Sequence, residues 1–173
     1  MSKGRLMGEL IRTRNRKTTC GLYGHSFEEF RDWYGDDSRL IKNYQIELYK
    51  FINEQIAAGM RDFVSLLKPG AALWMSDYIL TQRATLYHLD LQLHIIYTKP
   101  ASQYTDDLEK KVLHFADTAT PIHSHRVLKQ FRALMERSSR MLIVERSSDA
   151  GIFCSCAERA GIKVFRYAMT ELI

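Results

Sequence analysis

The sequence predicts an α/β fold: a single domain with a doubly wound, mainly parallel sheet and helices on both faces. Three observations lead there. Strand-like and helix-like segments alternate from residue 18 onward, and parallel strands need helical crossovers to become neighbours. Arg140-Met141-Leu142-Ile143-Val144 carries a continuous apolar run, the pattern of a strand covered on both faces. Thr18 through Tyr23 reads as a strand that enters a Gly24-His25 turn, and Ser26 then opens a helix with Glu28 and Glu29 in its first turn.

The elements follow in order. The first strand covers 18–23 and a short helix 26–34, with Phe27, Phe30, Trp33 and Tyr34 as its apolar face. Asp36-Asp37-Ser38 supplies an N-cap for a longer helix to about Ala58. Leu40, Tyr44, Leu48, Phe51, Ile52, Gln55 and Ile56 form its buried stripe at helical spacing, and Gly59 ends it. Phe63 to Leu67 is the second strand, broken by Pro69-Gly70 before a helix from Ala71 to about Arg83. Leu91 to Tyr97 is the third strand, closed by Lys99-Pro100. Thr105 caps the next helix, from which Val112, Leu113 and Phe115 face inward. A short strand, Thr118 to Ile122, precedes a helix from about His125 to Arg137. After the strand at 140–144, Ser147 through Gly151 form a loop; a helix to about Ala160 and a strand at Ile162 to Phe165 complete the pattern. Neither an internal repeat nor a second-domain linker is visible.

Composition narrows the function classes. The 173 residues suit one domain with a full core, and the 46% apolar and 26% charged content is that of an ordinary soluble chain. The formal charge of +5 sits entirely in residues 1–17, where Lys3, Arg5, Arg12, Arg14, Arg16 and Lys17 outnumber the single acid Glu9. The body from 18 to 173 is neutral, so nucleic-acid binding is expected only through the basic arm, which otherwise reads as a solvated tail. The arm lacks the apolar core of a secretory signal, and no run approaches the roughly 18 apolar residues that span a bilayer. Cys20, Cys154 and Cys156 have no disulfide-framework spacing, which points to reduced thiols and a cytoplasmic location. Cys154 and Cys156, two apart on a helix, point away from each other and read as small buried residues. His123-Ser124-His125 reads as a surface turn rather than a metal site.

In a doubly wound sheet, ligands bind outside the carboxyl ends of the strands near a topological switch point. Three strand-to-helix loops are expected to meet there: Gly24-His25-Ser26, Ser65 through Gly70, and Ser147 through Gly151. Gly24 lets the backbone approach a ligand closely, and a helix starting at Ser26 turns free N–H groups toward an anion. This is the anatomy of a nucleotide-binding first βα unit in a Rossmann-like domain. Backbone N–H groups, the hydroxyls of Ser26, Ser65, Ser147 and Ser148, and the imidazole of His25 suit a phosphate or a ribose, although Ser and Gly also populate such loops for turn reasons alone. His25 reads as a positioning or ligand-contact residue, or a structural cap, ahead of a general acid–base. Asp77 either contacts a ligand or favours its helix through the dipole. Trp33, Trp74, Met135 and Met141 read as packing residues.

At these residues the chain resembles the SLOG superfamily, Rossmann-like relatives of the DprA and lonely-guy proteins, and especially its YpsA-like branch. The resemblance runs over about 150 residues from Thr18. Thr19 through His25 looks like the branch's opening strand and Gly-His signature, Gly59 through Ser65 like its second strand, and Gly70, Trp74 and Asp77 like its Gly…Trp…acid helix. Ile96 through Pro100 resembles the third-strand exit, Met135 with Ser139 the segment before Leu142, and Ala157 with Gly161 the last helix and turn. The departures lie in the ligand loops. Leu66, Leu67, Lys68 and Pro69 stand where glycines are usual and are expected to crowd a phosphate cradle. Phe131-Arg132 replaces an Arg-Asn pair, leaving Arg132 as the substitute charge. Ser148-Asp149-Ala150 replaces Gly-Gly-Thr, with Gly151 displaced and Asp149 expected to repel a phosphate rather than bind it, and the lonely-guy hydrolase signature has no counterpart.

The resemblance implies a non-catalytic module that binds a nucleotide or NAD-derived ligand, or a diverged form that acts through a protein partner, with homodimerisation by analogy. The ligand-binding set is then Gly24, His25, Ser26, Ser65, Gly70, Asp77, Arg132, Ser148 and Gly151. Two alternatives remain open: a hydrolase of a nucleotide N-glycosidic bond, with Asp77 or Asp149 as the carboxylate, and a DNA-associated protein acting through the basic arm.

Overall fold

The computed structural model describes residues 16–85, 90–144 and 149–167. Among these are six strands, β1 (Thr19–Gly24), β2 (Asp62–Leu66), β3 (Gln92–Tyr97), β4 (Thr118–Pro121), β5 (Arg140–Val144) and β6 (Lys163–Tyr167). They form one sheet in the order β4-β3-β2-β1-β5-β6, and every neighbouring pair is parallel. The helices are α1 (Phe27–Tyr34), α2 (Ser38–Ala57), α3 (Ala71–Arg83), α4 (Asp107–Phe115), α5 (Val127–Met135) and α6 (Asp149–Arg159). The expected α/β, doubly wound architecture is therefore present.

Strand parity divides the core in two. Cys20 and Leu22 of β1, Phe63 of β2, Leu93 and Ile95 of β3 and Leu142 and Val144 of β5 face one side. There they meet Phe30 of α1, the Tyr44–Leu48–Ile52–Ile56 stripe of α2, Met75 and Ile79 of α3 and Val112 of α4. Tyr23, Val64, Ile96, Met141 and Ile143 face the other side, against Phe131 and Leu134 of α5 and Phe153 and Ala157 of α6. Central strands are thus covered twice, which is why β1, β2 and the Met141–Val144 run of β5 are buried throughout. The edge strand β4 is mostly exposed and ends in Pro121, a residue suited to an edge because it cannot donate to a ladder. On the side that carries α5 and α6, a polar ladder crosses the strand starts. Thr18 Oγ1 donates to Asp62 Oδ2 (3.1 Å), and His94 bridges Asp62 Oδ1 and Thr118 Oγ1 at 2.8 Å each.

The helix caps follow local chemistry. Asp37 accepts from Arg39 N at the start of α2. Gly59, just beyond the α2 C-cap Ala58, takes φ +97°, a left-handed conformation that favours glycine.

Several expectations need correction. The cap of α4 is Asp106, which accepts from Leu108 N and Glu109 N, not Thr105. A carboxylate at that position also complements the helix dipole. Phe115 does not face inward but is 54% exposed, because α4 ends there and turns toward β4. Helix α5 is shorter than expected and starts after Arg126. Gly151 lies inside the first turn of α6 rather than in a loop, because the helix begins at Asp149. Cys154 and Cys156 are half-buried rather than buried. The side chains of Phe27, Trp33, Tyr34 and Asp149, and all of Ser147 and Ser148, lie outside the described residues. No described helix is long and apolar enough to cross a membrane.

Candidate functional site

All six strands end on one edge, and the chain order reverses between β1 and β5. From β1 the chain steps outward through β2, β3 and β4; it then returns to β5 on the other flank. At this switch point His25 N donates to Val144 O (3.0 Å), so β1 and β5 remain joined past the end of β1. Ser26 forms an antiparallel bridge with Gly70, and Ala71 N donates to His25 O (3.3 Å). Gly24, His25, Ser26 and Gly70 are therefore brought together, as expected, beside the end of β5.

The reasons those residues are needed differ from the expected ones. A Cβ on Gly24 would stand 2.7 Å from Ala71 Cβ and 3.5 Å from Val144. The close approach that Gly24 permits is to the head of α3, not only to a ligand. Gly70 has φ +124°, a value that side-chain-bearing residues rarely adopt. Ser26 is the N-cap of α1 in a complete capping box: its Oγ accepts from Glu29 N (3.2 Å), while Glu29 Oε2 accepts from Ser26 N (2.7 Å) and Ser26 Oγ (3.1 Å). The Glu29 carboxylate thus occupies the place where an external anion would meet the head of α1. The Ser26-x-x-Glu29 spacing is the sequence signal that identifies this box.

His25 is 1% exposed. Its Nδ1 lies 3.0 Å from Ser26 O and its Nε2 lies 2.6 Å from the Tyr44 hydroxyl. A carbonyl only accepts, so Nδ1 carries the proton and Nε2 accepts from Tyr44. Burial holds the imidazole pKa below its ordinary value, and the Lys68 charge adds to that, against the opposing Ser26 hydrogen bond and Glu29 charge. His25 is therefore a neutral ring packed among Phe30, Tyr44 and, one layer out, Trp74, which meets Phe30 and Tyr44 edge-on. This is the structural side of the reading given for His25, and it matches the packing role expected for Trp74. Tyr44 is the functional neighbour that helical periodicity flagged only as a core residue.

The remaining expected residues are scattered. Ser65 is fully buried, its one hydroxyl proton shared between Leu66 O (3.2 Å) and Ala72 O (3.5 Å), beneath the edge where β2 meets α3. Asp77 lies in the middle of α3 and is held by Lys111 Nζ of α4 at 2.8 Å, away from the α3 head. Arg132 is exposed in the last turn of α5, where the chain descends toward the start of β5. Gly151 stands at the head of α6 after β5, and the space a side chain would take there is open for at least 4 Å. Leu66 and Leu67 do not crowd the edge, because they turn into the two opposite cores, each about 5% exposed.

Two further features share the carboxyl edge. Lys68 follows β2 and is half-buried; Lys99 follows β3, its ammonium 4.6 Å above the Tyr104 ring. Beside Lys99, a cavity of about 310 Å³ opens between the exits of β3 and β4, bordered by Tyr97, Ala101, Pro121 and His123. Cys20 does not contribute nucleophilic chemistry, since burial pushes its thiol up to about 12. No three His, Cys, Asp or Glu side chains group closely enough to hold a metal ion among the described residues. Neither a scan against protein-family models nor a search of curated proteins finds a match to this chain.

Proposed function

We propose that the chain is a non-catalytic, SLOG-type module that binds a nucleotide-derived ligand at the carboxyl edge between β1 and β5 and acts as a regulator. The strand order carries this reading: its reversal between β1 and β5 is the feature that creates a ligand crevice in parallel α/β sheets. Gly151 adds to it. A glycine inside a helix costs roughly 1 kcal/mol relative to alanine, and among the described residues no neighbouring atom requires the small residue here. The room beside Gly151 suits a phosphate approaching the start of α6.

The acid–base groups near this edge support binding over turnover. His25 is enclosed and tied to Tyr44 and Glu29 is committed to Ser26, while Asp77, away from the edge, is held by Lys111. Thermal-shift measurements against AMP, cyclic mononucleotides, NAD and ADP-ribose test the reading. A ligand at 100 times its Kd stabilises by about 2.7 kcal/mol, which for a chain of this size is a rise of roughly 5–11 °C. Gly151→Asp should abolish that rise by placing a carboxylate against the phosphate, while leaving the unliganded protein folded. Absence of a shift with every nucleotide would end the reading, and release of adenine from AMP would replace it with the hydrolase.

A further inference from the structure

A row of hydrogen bonds crosses the edge opposite the crevice, at the strand starts. His94 of β3 stands beside Thr118 of β4 in register, and two residues beyond the level of Asp62 in β2. Its Nε2 lies 2.8 Å from Asp62 Oδ1 and its Nδ1 2.8 Å from Thr118 Oγ1. A carboxylate only accepts, so in the neutral ring Nε2 carries the proton and Nδ1 accepts from the Thr118 hydroxyl. Asp62 is held in turn, its Oδ2 accepting from Thr18 Oγ1 (3.1 Å). Exposure grades along the row: Asp62 is buried, the His94 side chain is 16% exposed, and Thr118 on the edge strand is exposed. Asp117 N donates to Leu93 O of β3. Successive amides along a strand alternate between its two sides, so the Thr118 N–H points off the open edge of the sheet. A hydroxyl that donates to a base, a carboxylate that orients the base and a backbone N–H beside the hydroxyl together activate an oxygen nucleophile.

We propose that Thr118 is an acylation site, taking an acyl group from a small donor with a good leaving group: a thioester, an acyl phosphate or an activated ester. His94 Nδ1 takes the hydroxyl proton as Thr118 Oγ1 attacks the carbonyl carbon. The Thr118 N–H supplies a backbone donor for the tetrahedral oxyanion. The bond from that carbon to the leaving group then breaks, and the proton passes from Nδ1 to the departing group. One bond to the acyl carbon forms and one breaks, no oxidation state changes, and His94 returns to its neutral form. Asp62 acts through His94 as a positioning residue. The product is an ester of the chain itself, a single modification at the strand starts, and it is independent of ligand binding at the carboxyl edge.

Incubation with p-nitrophenyl acetate, followed by intact-mass and peptide mass spectrometry, tests the site. One acetyl group is expected on Thr118, removable by neutral hydroxylamine as an ester is and a lysine amide is not. Thr118→Val should lose that label and Thr118→Ser should keep it. His94→Gln should slow labelling of Thr118 at least about hundredfold, and Asp62→Asn at least about tenfold. Far-UV circular dichroism shows that each variant is folded. Acetyl phosphate and an acetyl thioester, offered in parallel, identify the leaving group, and transfer to Thr118 from either supports the site. Label confined to lysines, label on Thr118 that forms equally fast in His94→Gln, or no label from any of the three donors would overturn it. Release of p-nitrophenol far beyond one equivalent, abolished by Thr118→Val, would overturn the single modification in favour of a hydrolase.

Discussion

Replacing Gly24 by alanine separates its two roles, as a ligand-contact glycine and as a packing glycine. The added Cβ would lie 2.7 Å from Ala71 Cβ, about 1 Å inside the separation at which two carbon atoms attract. Neither partner is free to move. β1 is bonded to β2 on one side and to β5 on the other, and Ala71 is fully buried with its N–H on His25 O. Overpacking of this kind costs about 1–3 kcal/mol, or a fall in Tm of roughly 2–12 °C for a chain of this length. Ala71→Gly should relieve the clash. As a single substitution it costs up to about 1 kcal/mol, yet in the Gly24→Ala background it should restore stability, giving a favourable coupling of 1 kcal/mol or more, on the order expected for residues in contact. Urea denaturation followed by far-UV circular dichroism on the four proteins measures the cycle. If Gly24→Ala lies within about 0.5 kcal/mol of the parent, or the two changes are simply additive, Gly24 is not a packing residue and the account of the α3 head is wrong.

Other perturbations test the same edge. Gly151→Ala should raise stability by about 0.4–1 kcal/mol, since its Cβ enters open space and the helix loses a flexible residue; a loss of stability in the urea assay would contradict the open first turn of α6. Ser26→Ala should cost about 0.5–2 kcal/mol by opening the capping box, and Glu29→Gln should cost less, because an amide can still accept from Ser26 N; equal losses would mean that the carboxylate charge, not the box geometry, matters. For His25, the folded pKa lies below the ordinary 6.5, so the unfolded chain binds the proton first as pH falls. Its contribution to stability is therefore full above about pH 6.5 and is lost as pH falls toward the folded pKa, by at most about 1.4 kcal/mol per pH unit. His25→Gln should flatten that part of the stability–pH curve, and an identical slope in parent and variant would show that His25 is not the group responsible.

The fold was legible because its signals are local. The apolar run Met141–Val144, the stripe from Tyr44 to Ile56 and the Pro69-Gly70 break each state their element within a few residues, and the parallel sheet follows from their alternation. The edge was less legible because its meaning depends on contacts far along the chain. Gly24 reads as a ligand glycine until Ala71 is found against it, and Ser65 reads as a ligand hydroxyl until it is seen beneath α3. Leu66-Leu67 reads as an obstruction, yet adjacent residues leaving a strand point to opposite faces, and both are absorbed by the cores. Gly151 reads as a loop residue because Ser-Ser-Asp-Ala-Gly has turn composition, although Asp149 already begins α6. The Ser26–Glu29 box was present in the sequence as spacing.

The packing of the edge constrains how a ligand could be held. In a first βα unit of this kind the anion would meet the head of α1, but Glu29 already supplies a carboxylate to Ser26 there. A phosphate in that position would face a negative charge and would have to displace a 2.7 Å hydrogen bond. The head of α3 is closed in a different way, because Ala71 N is spent on His25 O and the first residues of the helix are buried. Of the helices that start on the edge next to the switch point, α6 has room for a side chain in its first turn, at Gly151. Anion recognition on the proposed reading therefore shifts away from the β1 turn, toward the head of α6. That division predicts a specific double dissociation: Glu29→Gln should leave nucleotide affinity within about twofold, an energy difference below 0.5 kcal/mol, whereas Gly151→Asp should abolish it. If Glu29→Gln instead tightens binding tenfold or more, the ligand phosphate sits at the head of α1 after all, in competition with the protein's own carboxylate.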